Sequence, residues 1–159
     1  MKKIKRGFTL VELLIVIAVI AILAAAALVA IDPATRINEA QDSERWSAVN
    51  ALMDAFLQST VDNEGSYPST ITADGLTYMM ATATGACTVS GCSDTVTSCL
   101  DFDELSTDGY IASLPTDPDG VTSYGPEQSG IGYTISVATN GIVTVSSCGA
   151  EEDTIEVSR

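Results

Sequence analysis

Histidine is absent from this chain, and with it the commonest general base, metal ligand and pH switch. Cations are scarce: seven Lys and Arg stand against 21 Asp and Glu, a net charge of −14. Four of the seven, Lys2, Lys3, Lys5 and Arg6, crowd into the first six residues. So acidic a surface repels phosphate backbones, which argues against direct nucleic-acid binding. No nucleophile elbow, histidine dyad or phosphate-binding glycine loop occurs, and the scattered Ser and Asp suit surface loops. The expectation is a non-enzyme without a cofactor.

Charge is also missing from residues 13–31, a run of 19 residues. That is about the length a helix needs to cross the hydrocarbon core. The basic block before it is expected to stay cytoplasmic, which places everything after Ile31 outside the membrane. A cleaved secretory signal would have a shorter apolar core and a small-x-small site followed by a polar start, and neither is present. It would also carry no acid, whereas Glu12 stands at the head of this run. An ionisable group at the edge of a membrane helix is expensive and usually functional. In a dry helical bundle Glu12 needs a cationic partner or its pKa must rise.

The run Lys5-Arg6-Gly7-Phe8-Thr9-Leu10-Val11-Glu12, followed by the apolar stretch, resembles the class III signal of type IV pilins and pseudopilins. The resemblance implies that residues 1–7 are a leader removed by a prepilin peptidase. The cut falls between Gly7 and Phe8, and Phe8 becomes the N-methylated first residue. Residues 8–31 are then kept as a transmembrane and filament-core helix. Glu12 becomes the fifth mature residue, whose implied partner is the Phe8 amine of a neighbouring subunit. Implied partners are identical subunits in a helical homopolymer, the prepilin peptidase, the inner-membrane assembly machinery and the membrane itself. The implied location is the cytoplasmic membrane before assembly, with the head outside, and an extracellular filament afterwards.

Beyond the apolar run, Asp32-Pro33 predicts a kink or a short break, with Asp32 capping and Pro33 opening the next segment. The alternative is a tolerated bend in one continuous helix. Residues 32–63 form the amphipathic half of the helix. Trp46, Val49, Leu52, Met53, Phe56, Leu57 and Thr60 make the core-facing stripe, opposed by Asn50, Asp54, Gln58 and Asp62. From residue 8 to residue 62 such a helix would run roughly 80 Å. Asn63-Glu64-Gly65 is expected to stop it.

Residues 64–159 are read as a variable connection and a C-terminal antiparallel sheet. Tyr67-Pro68 opens the connection, as in many relatives of the resembled family. Residues 76–80 are ambiguous between a short strand and a helical turn. Residues 101–105 suggest a short helix. Cys87, Cys92, Cys99 and Cys148 lie beyond the membrane segment, and an even number there implies disulfides rather than a thiolate zinc site. Of three pairings, Cys87–Cys92 with Cys99–Cys148 is preferred; the resemblance makes Cys148 the long-range partner. Leu114-Pro115-Thr116-Asp117-Pro118 is similar to a run in major pseudopilins. Asp117 and Asp119 are thereby candidate calcium ligands. The same Pro-Asp-Gly is equally an ordinary turn signal.

The last segments are the most explicit. Tyr133, Ile135 and Val137 alternate, as do Val143 and Val145, around Asn140-Gly141. A two-residue loop would put the two apolar rows on opposite faces. A three-residue loop, Thr139-Asn140-Gly141, pairs Val137 with Val143 and Ile135 with Val145, and makes one face apolar throughout. Ile155 and Val157 offer a third, edge strand. The fold class expected is α+β: a long N-terminal helix on a small antiparallel sheet. The expected function is a structural subunit of a type IV pilus filament. The alternatives are a type II secretion pseudopilin or a membrane-anchored extracytoplasmic binding domain.

Overall fold

The computed structural model describes residues 7–68, 71–82, 92, 96–119, 130–151 and 154–159. The chain divides into two compact units, Met1–Ile37 and Asn38–Arg159.

In the first unit, α1 covers Leu10–Ile31, about 33 Å at the α-helical rise. Among the described residues it is the one helix long and apolar enough to cross a membrane. Its described side chains are all exposed. It ends at Asp32, whose φ of 40° lies in the left-handed region that non-glycine residues seldom visit. The Asp32 carbonyl accepts the Arg36 N–H at 3.3 Å, and its carboxylate accepts the Thr35 hydroxyl at 3.0 Å. Asp32 thus serves as both the end of one helix and the backbone cap of the next. The expected interruption is a one-residue break.

The second helix, α2, covers Pro33–Asp62 and runs from the first unit into the second. Its stop is the expected one. Glu64 and Gly65 take φ of 57° and 89°, and the Gly65 N–H returns to the Thr60 carbonyl at 2.8 Å. Within the head, Val49, Leu52, Met53 and Phe56 are fully buried. The buried stripe, however, is centred one step round the helix from the expected one. Arg45, Ala48, Ala55 and Ser59 are inside it, Leu57 and Thr60 are half-buried, and Trp46 is 42% exposed. Burial of Arg45 turns the stripe away from the neighbouring tryptophan, which the three-and-four spacing places in it.

Against this face lies a five-stranded sheet: β1 (Thr77–Ala81), β2 (Val96–Asp101), β3 (Gly130–Val137), β4 (Val143–Ser147) and β5 (Glu156–Ser158), in the order β2-β1-β3-β4-β5. A short helix, α3, covers Asp103–Thr107, two residues beyond its expected start. Strand β3 pairs with β4 through Ile135↔Val145 and Val137↔Val143, the register expected from the alternation. The Gly141 N–H bonds the Ala138 carbonyl and the Ala138 N–H bonds the Ile142 carbonyl, each at 2.8 Å. The loop is therefore Thr139-Asn140-Gly141, with Gly141 at φ 85°. Tyr133, Ile135, Val137, Val143 and Val145 all point into the core with Phe56, Phe102 and Leu105. Strand β5 closes one edge antiparallel to β4.

The sheet is larger than expected, because β1 and β2 join it as a parallel pair. A parallel pair needs a crossover of about a dozen residues or more, which the connection between Ala81 and Val96 supplies. The second face of the sheet carries a small cluster of Met79, Ala81 and Cys99, with Cys92, Val96 and Cys148 packed against it. Its polar part is a row of hydroxyls: Thr134 meets Ser146 at 2.7 Å and Thr144 meets Ser158 at 2.8 Å.

The disulfides correct the preferred pairing. Cys92 is bonded to Cys148, with Cα atoms 4.6 Å apart. Cys99 is disulfide-bonded as well, and Cys87 lies outside the described residues. Topology explains why Cys99 does not meet Cys148. Cys99 sits on β2 and Cys148 follows β4, so β1 and β3 separate them. Three strand spacings come to about 14 Å, whereas a disulfide needs Cα atoms within about 7 Å. Cys92 precedes β2, so it is not held at that edge.

Two outcomes are expected. Peptide mapping of the unreduced protein will give a cross-linked pair containing Cys92 and Cys148, and none joining Cys99 to Cys148. Gly141→Ala forces a Cβ into the left-handed region and should lower stability by about 1–2 kcal/mol. Thermal unfolding of the full-length chain in detergent micelles measures it, and an unchanged midpoint would mean a different turn.

Candidate functional site

Two groups of charged residues stand out, one in each unit. The first surrounds the start of α1. Thr9 is extended, at φ −85° and ψ 150°, and caps the helix. Its N–H and its hydroxyl both donate to Glu12 Oε2, at 2.9 and 2.8 Å. The Glu12 N–H donates back to Thr9 Oγ1 at 3.2 Å. This reciprocal capping box satisfies donors that a helix start leaves orphaned. It also fixes the Glu12 side chain toward the N-terminus, where the positive end of the helix dipole favours a carboxylate.

Gly7, Phe8, Thr9 and Glu12 line one shallow, open depression. Phe8 is 86% exposed. No atom lies within 4 Å of where a Cβ would stand on Gly7. This chain's own packing therefore gives no reason for glycine at position 7. The structure thus brings the three residues expected to act in processing and assembly, Gly7, Phe8 and Glu12, to one accessible place. Thr9, which holds Glu12, was not singled out from the sequence. The spacing of Thr9 and Glu12 with an apolar run behind them is the capping-box signature and could have found it.

The second group is built on α2. Arg45 is fully buried. Its Nε and Nη2 donate to the two oxygens of Asp117, both at 2.9 Å. Nη2 also reaches Asp119 Oδ2, and Nη1 reaches Asp42 Oδ1, each at 2.9 Å. Gln41 Nε2 donates to Asp119 Oδ1 at 3.0 Å. The Asp119 N–H bonds Asp117 Oδ1 at 3.0 Å, closing the turn on itself. The hydrogen bonds it donates to Asp117 push the guanidinium pKa still further up, so Arg45 stays charged at any accessible pH.

Asp117 and Asp119, read as candidate calcium ligands, are thus brought together, but on a guanidinium. Among the described residues no group of three or more His, Cys, Asp or Glu has an arrangement that could hold a metal ion. Arg45 itself was missed. A lone cation in a polar part of a helix normally reads as solvated surface, and its partners Asp117 and Asp119 lie more than 70 residues away.

No curated protein and no solved structure matches this chain. Residues 2–28 match the family model for the prokaryotic N-terminal methylation motif. Such a motif implies cleavage by a prepilin peptidase and assembly into a pilus. The chain therefore carries the class III signal of type IV pilins and pseudopilins, and that signal supports a subunit of one of these two kinds.

Proposed function

We propose that this protein is a structural subunit of a type IV pilus filament. The observation that carries the reading is the methylation motif over residues 2–28 joined to an apolar helix with a single carboxylate at its head. The leader, residues 1–7, is removed between Gly7 and Phe8, and Phe8 is N-methylated. The precursor is held in the cytoplasmic membrane by α1 with its head outside, and α1 becomes the filament core. Two disulfide-bonded sites, at Cys92–Cys148 and at Cys99, suit a head exposed on a surface filament. They favour the pilus over the pseudopilin.

Glu12 is assigned the docking contact. Processing removes Lys2, Lys3, Lys5 and Arg6 and leaves Arg36, Arg45 and Arg159 against 21 acids, a net charge of −18. Arg45 is enclosed by its carboxylates, Arg159 pairs with Asp54, and Arg36 is also engaged. The new amine of Phe8 is then the one cation in the processed chain without a prior partner among the described residues. A carboxylate placed in a dry helical bundle requires such a partner. A neighbouring subunit shifted along the filament axis offers it, which fixes the register at which each subunit docks. No catalytic role is assigned to any residue.

Glu12→Ala should leave peptidase cleavage intact, since Gly7 and the leader cations are untouched. It should cut the yield of sheared surface filaments at least tenfold at equal subunit level. Wild-type yield would refute the pairing. Gly7→Leu should give an uncut precursor, heavier by the leader in mass spectrometry of membranes from peptidase-containing cells. Its efficient cleavage would point to another processing enzyme.

A further inference from the structure

On the proposed reading the peptidase cuts the bond between Gly7 and Phe8. Peptidases take backbone that is exposed and free of intrahelical bonds, so a helix must open before it is cut. Both residues are exposed and stand outside α1. Yet the sequence before Leu10 does not itself end the helix. No proline stands among residues 1–9, and a glycine weakens a helix without stopping it.

The hydrogen bonds show what does stop it. In a helix that ran on toward the N-terminus, the Glu12 N–H would bond the Phe8 carbonyl, four residues back. Here that N–H is held by Thr9 Oγ1 at 3.2 Å. The first bond of the ladder is the next one, from the Leu13 N–H to the Thr9 carbonyl at 3.3 Å. Thr9 itself is extended, at φ −85° and ψ 150°, and its N–H is taken by Glu12 Oε2 at 2.9 Å. The threonine hydroxyl thus competes for the one donor that would draw Phe8, and with it the nitrogen of the scissile bond, into the helix. We propose that Thr9 is a positioning residue for processing: it stops α1 short of Phe8 and keeps the Gly7–Phe8 bond in the extended form that the peptidase takes. The proposal rests on the reading of residues 1–7 as a leader. It assigns the role to the hydroxyl as an acceptor, not to the carboxylate. Alanine at position 12 still has the N–H that Thr9 receives, so Glu12→Ala leaves this half of the cap in place.

The test is cleavage of the full-length precursor by prepilin peptidase in detergent micelles, followed by mass spectrometry over a range of substrate concentrations. Thr9→Val keeps the shape of the side chain and removes the acceptor. Its apparent KM should rise about two- to fivefold with kcat unchanged, because only the extended fraction of the substrate binds. Thr9→Ser and Thr9→Asn each restore a cap and should bring KM to within about twofold of the native value. The Phe8 Cα chemical shift should move toward the helical range in Thr9→Val and stay extended in the two capped variants. A peptidase that reads the threonine directly would reject Asn along with Val, and that result overturns the proposal. So does a Thr9→Val precursor with an unmoved Phe8 shift, or one whose loss lies in kcat. A native precursor left uncut overturns the leader reading, and this proposal with it. A native precursor cut after Gly7, beside a Thr9→Val precursor cut with the same KM, overturns this proposal alone.

Discussion

Everything in the first unit follows from one constraint: α1 exposes its apolar side chains all round and buries none of its most apolar stretch within the chain. At roughly 25 cal/mol per Å2 of apolar surface, such a helix does not stay bare in water. Lipid or other helices of the same kind must cover it. An amphipathic helix would have solved the problem by folding back with one face, but a helix without a polar face cannot. Its uniformity is therefore information. It suits an environment apolar on every side, and together with the motif at its start it fits a membrane-anchored precursor.

The head solves the opposite problem with ordinary means. One stripe of α2 and one face of the sheet are apolar, and placing them together makes the core. The hairpin shows how little is needed to set register. Gly141 can take the left-handed turn position, and the three-residue loop then puts Tyr133, Ile135, Val137, Val143 and Val145 on one face. A slip by one residue would put the apolar rows of the two strands on opposite faces. The polar exception is Arg45, which carries the charge of α2 into the interior only because three carboxylates meet it there. A buried cation costs several kcal/mol in desolvation unless its donors are filled. Arg45 fills Nε and both Nη positions.

What was legible in the sequence was local. The break at Asp32, the stop at Gly65, the β3–β4 register and the edge strand near Val157 each depend on residues a few positions apart. Propensity, capping and turn chemistry act over that range. What was not legible depends on distant pairing. The sequence of β2 alternates weakly and contains a cysteine that drew attention to a bridge instead. Its place beside β1 is fixed by a parallel pairing that no local pattern announces. The cysteine partners follow from that placement, since strand order decides which sulfurs can approach. Trp46 fits the three-and-four spacing of the core stripe yet stays partly exposed, whereas Arg45 is drawn inside by Asp117 and Asp119, more than 70 residues away.

On the proposed reading, the division of charge between the two units bears on how subunits recognise one another. Burial of apolar surface is strong but has no direction, so a bundle of helices like α1 coheres without preferring one axial offset. A directional contact must choose it, and charged pairs are the usual means. The heads are poorly placed to supply one. Their two arginines, Arg45 and Arg159, are already committed within the subunit, and what remains is a surplus of acid that repels across any interface within a Debye length, about 8 Å in physiological salt. On the proposed reading, register therefore falls to the one carboxylate in the apolar run and to the amine that processing creates. Thr9 matters to that contact before any partner arrives. By holding Glu12 against the helix start with two hydrogen bonds, it reduces the side-chain entropy that the docking step must otherwise remove.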